Sequence, residues 1–171
     1  MAQKKLYEEF ASSMLNVCYR YTKSMSDAED VLQEGFIKVF HNLKQYKFKG
    51  ELGAWIRRIM VTTAINFLKR NIRYQTDFLF PEEYLHIVNN DVHPEVMISA
   101  KELAALIRQL PPGYQAIFNL YAVEGFNHIE IGKLLGIQES TSRSQYARAR
   151  ALLVQWVEQK NNDVKLNTYA K

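Results

Sequence analysis

A chain of 171 residues with 22 Lys+Arg against 18 Asp+Glu, a net charge of +4 and a pI near 9.1 holds one large or two small domains. Its 47% hydrophobic and 12% aromatic content supports a buried core, and 7 Gly with 4 Pro are too few for a disordered or collagen-like chain. The single Cys18 excludes an intramolecular disulfide and a thiolate zinc site. No apolar run approaches the roughly 18 residues of a membrane span, and Met1 to Lys5 leads into charged sequence rather than a signal-peptide core, so the expected compartment is the cytoplasm.

Between Lys4 and Lys23 the residues Leu6, Phe10, Met14, Val17 and Tyr21 recur every three or four positions, the period of an amphipathic helix. Ser26 and Glu29 have the spacing of a capping box that opens a second helix running to Leu43. Its inward stripe is Leu32, Phe36, Val39, Phe40 and Leu43, which leaves Asp30, Gln33, Glu34, Ile37 and His41 on an outer side that is half acidic and half apolar. Tyr46 to Gly53 has two glycines and no helical period, so it reads as a loop. Ala54 to Arg73 returns to helix with Trp55, Ile56, Ile59, Met60, Thr63, Phe67 and Leu68 inward. These three helices make a first unit, residues 1–75.

Residues 76–93 are aperiodic, contain Pro81 and Asn89-Asn90-Asp91, and read as a linker. The second unit, residues 94–171, opens with a helix from Pro94 to Leu110 that Pro111-Pro112-Gly113 stops. Short helices over Tyr114 to Val123, His128 to Leu135 and Ser140 to Val157 follow. The predicted fold class is all-α: two small helical domains joined by a linker.

Charge is placed unevenly along this frame. Residues 26–36 carry Asp27, Glu29, Asp30 and Glu34 with no cation, −4 in all, whereas residues 37–75 set nine cations against Glu51 alone, +8. Residues 76–102 return to −5 and residues 140–171 to +4. Non-specific affinity for nucleic acid comes from local clusters of cations facing phosphates, so two basic blocks flanking an acidic middle predict two places that meet a polyanion.

The second block has the form of a helix-turn-helix: Ile129, Ile131, Leu134 and Leu135 pack the first helix, Gly136 permits the turn, Ile137 plugs the space between helices, and Ser140 or Thr141 caps the second. Ser142, Tyr146, Ala149 and Leu153 then lie inward, and Thr141, Arg143, Ser144, Gln145 and Arg148 are left outward for base edges and phosphates. The plainer alternative is a helical hairpin with a solvated basic face. In the first block, the loop Tyr46-Lys47-Phe48-Lys49 alternates aromatic and cationic side chains, the composition that single-stranded nucleic acid selects, and Arg57, Arg58, Lys69, Arg70 and Arg73 follow it. The same loop also fits a core edge covered by snorkelling lysines. The acids Asp27 to Glu34 lack a calcium-loop spacing and are explained by the helix dipole. His41, His86, His93 and His128 show no paired spacing, and there is no phosphate loop or nucleophile elbow, so no catalytic residue, cofactor, metal or small-molecule substrate is expected.

Asp27-Ala-Glu-Asp-Val-Leu-Gln-Glu-Gly-Phe-Ile-Lys-Val39, Trp55-Ile-Arg-Arg-Ile59 and Asn66-Phe-Leu-Lys-Arg70 resemble region 2 of bacterial sigma factors. Pro94-Glu95, Leu110-Pro-Pro112 and the helix-turn-helix ending Ala147-Arg-Ala-Arg150 resemble region 4, and their order resembles the extracytoplasmic-function (ECF) group of the sigma-70 family. The resemblance implies a promoter-specificity subunit of RNA polymerase rather than an enzyme, aiding −10 melting at initiation. It implies that Asp30, Gln33, Glu34 and Ile37 meet the clamp coiled coil of the β′ subunit and that region 4 meets the β flap. Tyr46, Lys47, Phe48 and Lys49 would hold a flipped −10 base, with Arg57, Arg58, Thr62, Asn66, Lys69, Arg70 and Arg73 along the melted strand. Ser140, Thr141, Arg143, Ser144, Gln145 and Arg148 would read the −35 duplex. The partners implied are core polymerase, promoter DNA and an anti-sigma factor, often a membrane-bound one. Thr62 stands where Asn is common, Ser142 where an apolar residue is usual, and Gln145 where Arg is common, which bears on promoter preference and on region 4 packing. The other functional class that fits is a dedicated helix-turn-helix regulator.

Overall fold

The computed structural model describes residues 2–47, 50–72 and 98–169, whose regular structure is all helical. The chain divides into two compact units, Met1–Tyr74 and Gln75–Lys171. The expected linker at 76–93, the helix start at Pro94, and Phe48, Lys49 and Arg73 lie outside the described residues.

The first unit is three helices, α1 (Ala2–Tyr19), α2 (Met25–Asn42) and α3 (Leu52–Ile72), each packed on the other two. The periodic residues form the core: Met14, Val17, Leu32, Phe36, Val39, Ile56 and Met60 are all buried. Cys18 is also inside, and burial pushes its thiol up to about 12, which leaves it protonated at neutral pH. The cap of α2 differs from the expected Ser26 box. Helix α2 starts at Met25, so Ser26 already lies in its first turn, and Ser24, in extended conformation, accepts from Asp27 N at 3.0 Å. At the other end, a 3-10 turn over Leu43–Gln45 brings the chain off α2, and α3 begins at Leu52, two residues earlier than its apolar period predicts.

The second unit holds α4 (Ala100–Gln109), α5 (Pro112–Phe118), a π-helical turn over Asn119–Val123, α6 (His128–Leu135) and α7 (Glu139–Tyr169). Ser99 and Glu102 close a reciprocal capping box, so the described part of the helix expected from Pro94 starts at Ala100. Leu110, Tyr114, Ala149, Leu152 and Leu153 form the core, with Leu106, Ile107, Phe118 and Trp156 against it. Helix α7 outruns the expected end at Val157, and its Lys160 reaches back to Glu102 at 2.6 Å. That ammonium and the Ser99 hydroxyl hold the Glu102 carboxyl down at about 2. Among the described residues no helix is long and apolar enough to cross a membrane, and no cluster of His, Cys, Asp or Glu has the makings of a metal site.

Candidate nucleic-acid interfaces

In the first unit the i, i+4 spacing of Arg58, Thr62, Asn66 and Arg70 lays them along one ridge of α3. The upper part of this ridge lines a cleft of about 340 Å³ against α2, completed by Lys38, Asn42, Trp55, Ile59 and Thr63. Its walls combine an indole, two cations, two amides and two hydroxyls. Thr62 turns its hydroxyl back to Arg58 O at 2.8 Å, while Asn66 is exposed. Arg58, Lys69 and Arg70 are exposed, whereas Arg57 is half-buried. Tyr46 is held internally as well as being half-buried: its ring packs on Trp55 at 5.4 Å and its hydroxyl donates to Gly50 O at 2.6 Å. It thereby props the aromatic wall of the cleft. Lys47 is exposed beside it.

The outer face of α2 is arranged as its period predicts for Asp30, Gln33 and Ile37, which are exposed; Ile37 keeps 57% of its surface in water. Glu34 is different. Its Oε1 accepts from Lys38 Nζ and its Oε2 from Arg70 Nη2, both at 2.7 Å, and Lys38 also donates to Thr63 Oγ1 at 3.2 Å. Both hydrogen bonds favour the carboxylate, and the Glu34 carboxyl is held below its ordinary value by Lys38 first and Arg70 second. The spacing of Lys38 on the same helix makes its pairing legible in sequence, but Arg70 lies thirty-six residues away and no local signal announces it.

In the second unit Asn127 and Glu130 cap α6 reciprocally, and the helix ends on Gly136 in the left-handed region at φ 75°. The N–H groups of Gly136 and Ile137 both donate to Gly132 O, at 2.8 and 3.0 Å. The turn folds so closely that a Cβ on Gly132 would lie 2.7 Å from Ile137 O, a requirement for glycine that the spacing alone did not reveal. Helix α7 begins at Glu139, and Ser142 N donates to the Gln138 carbonyl at 3.0 Å, so the chain enters the helix before Ser140 and Thr141, and neither is its cap.

The inward side of α7 runs Ser142, Gln145, Ala149, Leu152 and Leu153. Steps of three and four follow the helical period, and Gln145, three residues after Ser142, falls on the buried stripe with only 7% of its surface exposed. Its expected outward position is therefore corrected, and its Oε1 has no hydrogen-bond partner. Arg143, Ser144 and Ser140 are exposed as expected, while Thr141 and Arg148 are half-buried. Arg143 is ion-paired one turn back to Glu139, Nε to Oε1 at 3.0 Å, and Ser144 Oγ donates to Thr141 O at 3.0 Å.

Ile129, expected inward, is 52% exposed, and the buried residue at this end of α6 is His128 instead. Its ring stacks on Tyr121 at 4.4 Å with 12° between planes, and Nδ1 lies 2.9 Å from Ser142 Oγ. Ser142, fully buried, thus has a polar partner in the core. Burial holds the imidazole below its ordinary value, assisted by the charge of Arg143 and opposed by that of Glu139.

Residues 6–74 match the family model of sigma-70 region 2, and residues 100–153 match that of sigma-70 region 4. The chain belongs to the sigma-70 family. Its curated relatives include the ECF RNA polymerase sigma factor SigE of Mycolicibacterium smegmatis, 31% identical over 153 residues, which cover 87% of this chain and 59% of that protein. ECF sigma factor SigW of Bacillus subtilis is 26% identical over 157 residues, 84% of this chain and 82% of that one. These relatives place the sigma-70 chain in the ECF group. The sigma factor RpoE of Bartonella quintana, solved in complex with the anti-sigma factor NepR, shares its fold at a TM-score of 0.56 and 16% identity, over 91% of this chain and 96% of that chain. The region 2 match ends on Tyr74, the last residue of the first compact unit. A lone helix-turn-helix regulator accounts for the second unit and leaves that first match unexplained.

Proposed function

We propose that this sigma-70 chain binds core RNA polymerase and directs it to promoters, the region 2 unit engaging the melted −10 strand and the region 4 unit the −35 duplex. The observation that carries the reading is the α2–α3 cleft, where an indole wall lies among cations and hydrogen-bonding side chains. That is the chemistry of an unpaired base stacked on an aromatic face with its phosphates outside. Arg58, Thr62, Asn66, Lys69 and Arg70 follow the strand from the cleft, with Arg57 beneath them and Tyr46 and Lys47 at its loop end. In the region 4 unit, Ser140, Arg143 and Ser144 present donors at the exposed start of α7, with Thr141 and Arg148 at the margin of the same face. Gln145 supports the helix from inside.

Asp30, Gln33 and Ile37 form an exposed acidic and apolar stripe suited to a basic amphipathic partner helix, such as the β′ clamp coiled coil. The region 4 unit would meet the β flap, and the NepR complex of the Bartonella quintana relative supports an anti-sigma factor as a further partner. The role is one of recognition in the cytoplasm, with the polymerase supplying catalysis. Purified chain mixed with core polymerase should co-elute and confer promoter-dependent transcription; a chain that leaves core transcription unchanged on every promoter of a genomic library would refute the assignment.

A further inference from the structure

The carboxylate of Glu34 stands where two surfaces meet. Along α2 it lies one turn after Asp30 and between Gln33 and Ile37, the exposed stripe assigned to polymerase. Across to α3 it holds Lys38 and Arg70, one cation lining the cleft and the other at the end of the cationic ridge. All three side chains remain reachable, with 32% of Glu34, 39% of Lys38 and 55% of Arg70 in water. Ion pairs this exposed are weak enough to be exchanged for other partners. A phosphate approaching the cleft meets the negative charge of Glu34 and two cations whose hydrogen bonds already go to it.

We propose that Glu34 is an acidic latch: in the free chain it occupies Lys38 and Arg70 and disfavours single-stranded nucleic acid, and a basic partner docked on Asp30, Gln33 and Ile37 draws the carboxylate away and releases both cations to the strand. The latch rests on the region 2 reading above and adds to it a specific contact, the Glu34 carboxylate on Lys38 and Arg70, that keeps two strand-binding cations engaged in the free chain. Nucleic acid is favoured over a small anion as the ligand because Lys38 lines an aromatic-walled cleft of nucleotide size and Arg70 follows Asn66 of that lining by one turn of the same ridge.

The test is anisotropy of a labelled single-stranded oligothymidylate titrated with the free full-length chain over a range of salt. Glu34→Gln should bind at least about threefold more tightly than the parent at low salt. Its log–log salt slope should steepen by about 1.4, the value for two further phosphate contacts on a single strand. Asp30→Asn makes the same change in net charge without touching Lys38 or Arg70, and should gain less than half as much. Adding Lys38→Ala and Arg70→Ala to Glu34→Gln should abolish the gain. Thermal unfolding of each variant confirms that it is folded at the temperature used.

Equal or weaker binding by Glu34→Gln overturns the latch, and so does an equal gain in Asp30→Asn, which would reduce the effect to net charge. In either case the region 2 reading survives if replacing Arg58 and Lys69, exposed cations of α3 outside the latch, by alanine in the parent weakens oligothymidylate binding. If that replacement has no effect, the strand binds elsewhere and both fall.

Discussion

His128 Nδ1 and Ser142 Oγ lie 2.9 Å apart and join the two helices of the helix-turn-helix through its interior. The imidazole is stacked on Tyr121 and lies near Tyr146, with Arg143 and Glu139 as the neighbouring charges. Because the folded state holds this histidine below its ordinary value of 6.5, it binds the proton less readily than the unfolded chain does. The stability tied to neutral His128 is therefore whole above that value and is lost as pH falls through it. Region 4 unfolding followed from about pH 7.5 to about pH 5 should show a falling midpoint that His128→Gln flattens. Parallel pH profiles for the two proteins would contradict it.

Gly132→Ala should destabilise the region 4 unit by about 1–3 kcal/mol, the usual cost of forcing an extra carbon into a packed site. The new Cβ would meet the backbone oxygen of Ile137, which is fixed by the turn and has no rotamer in which to move aside. Urea unfolding monitored at Trp156 reads the effect; a change under half a kcal/mol would mean that the turn relaxes freely.

Gln145→Leu should stabilise the same unit by roughly 1 kcal/mol, because a buried amide oxygen without a partner is exchanged for apolar surface. The −35 preference of the holoenzyme should be little altered, since the side chain faces the core. A leucine variant that is less stable than its parent, or that selects a different −35 sequence from a promoter library, would restore Gln145 to the DNA surface.

Asp30→Lys combined with Ile37→Glu should weaken core polymerase binding at least about tenfold, roughly 1.4 kcal/mol, while α-helical circular dichroism is retained. Glu34 is left in place because its carboxylate is engaged by Lys38 and Arg70, so its removal would disturb two surfaces together. Undiminished co-elution with core would move the contact off α2.

Exposed Arg143 should contribute to duplex affinity chiefly as a charge. Its Nε and Nη2 already donate to Glu139, and a base edge approaching that side of the guanidinium would have to compete with the carboxylate. Arg143→Ala should weaken −35 duplex binding on all sequences and lower the salt slope by about 1. A loss confined to one base pair would instead make it a direct reader.

The all-α class, the three helices of region 2, the left-handed Gly136 and the inward run of Ala149 and Leu153 were legible in sequence, because each follows from the helical period or from the conformational demand of one residue. Family membership was legible too, since it is carried by ordered local motifs. Burial at the edge of a stripe was not. Gln145 falls on the buried stripe only when that stripe is drawn through Ser142, and Ile129 turns on what lies beside α6: His128 takes the interior there, its ring stacked on the exposed Tyr121, and Ile129 is turned out to water. The start of α7 at Glu139 and the cap at Ser24 were likewise set by how the preceding turns deliver the backbone. Most of all, the pairing of Glu34 with Arg70 could come only from the packing of α2 on α3, because a bond between side chains thirty-six residues apart has no signature in either segment.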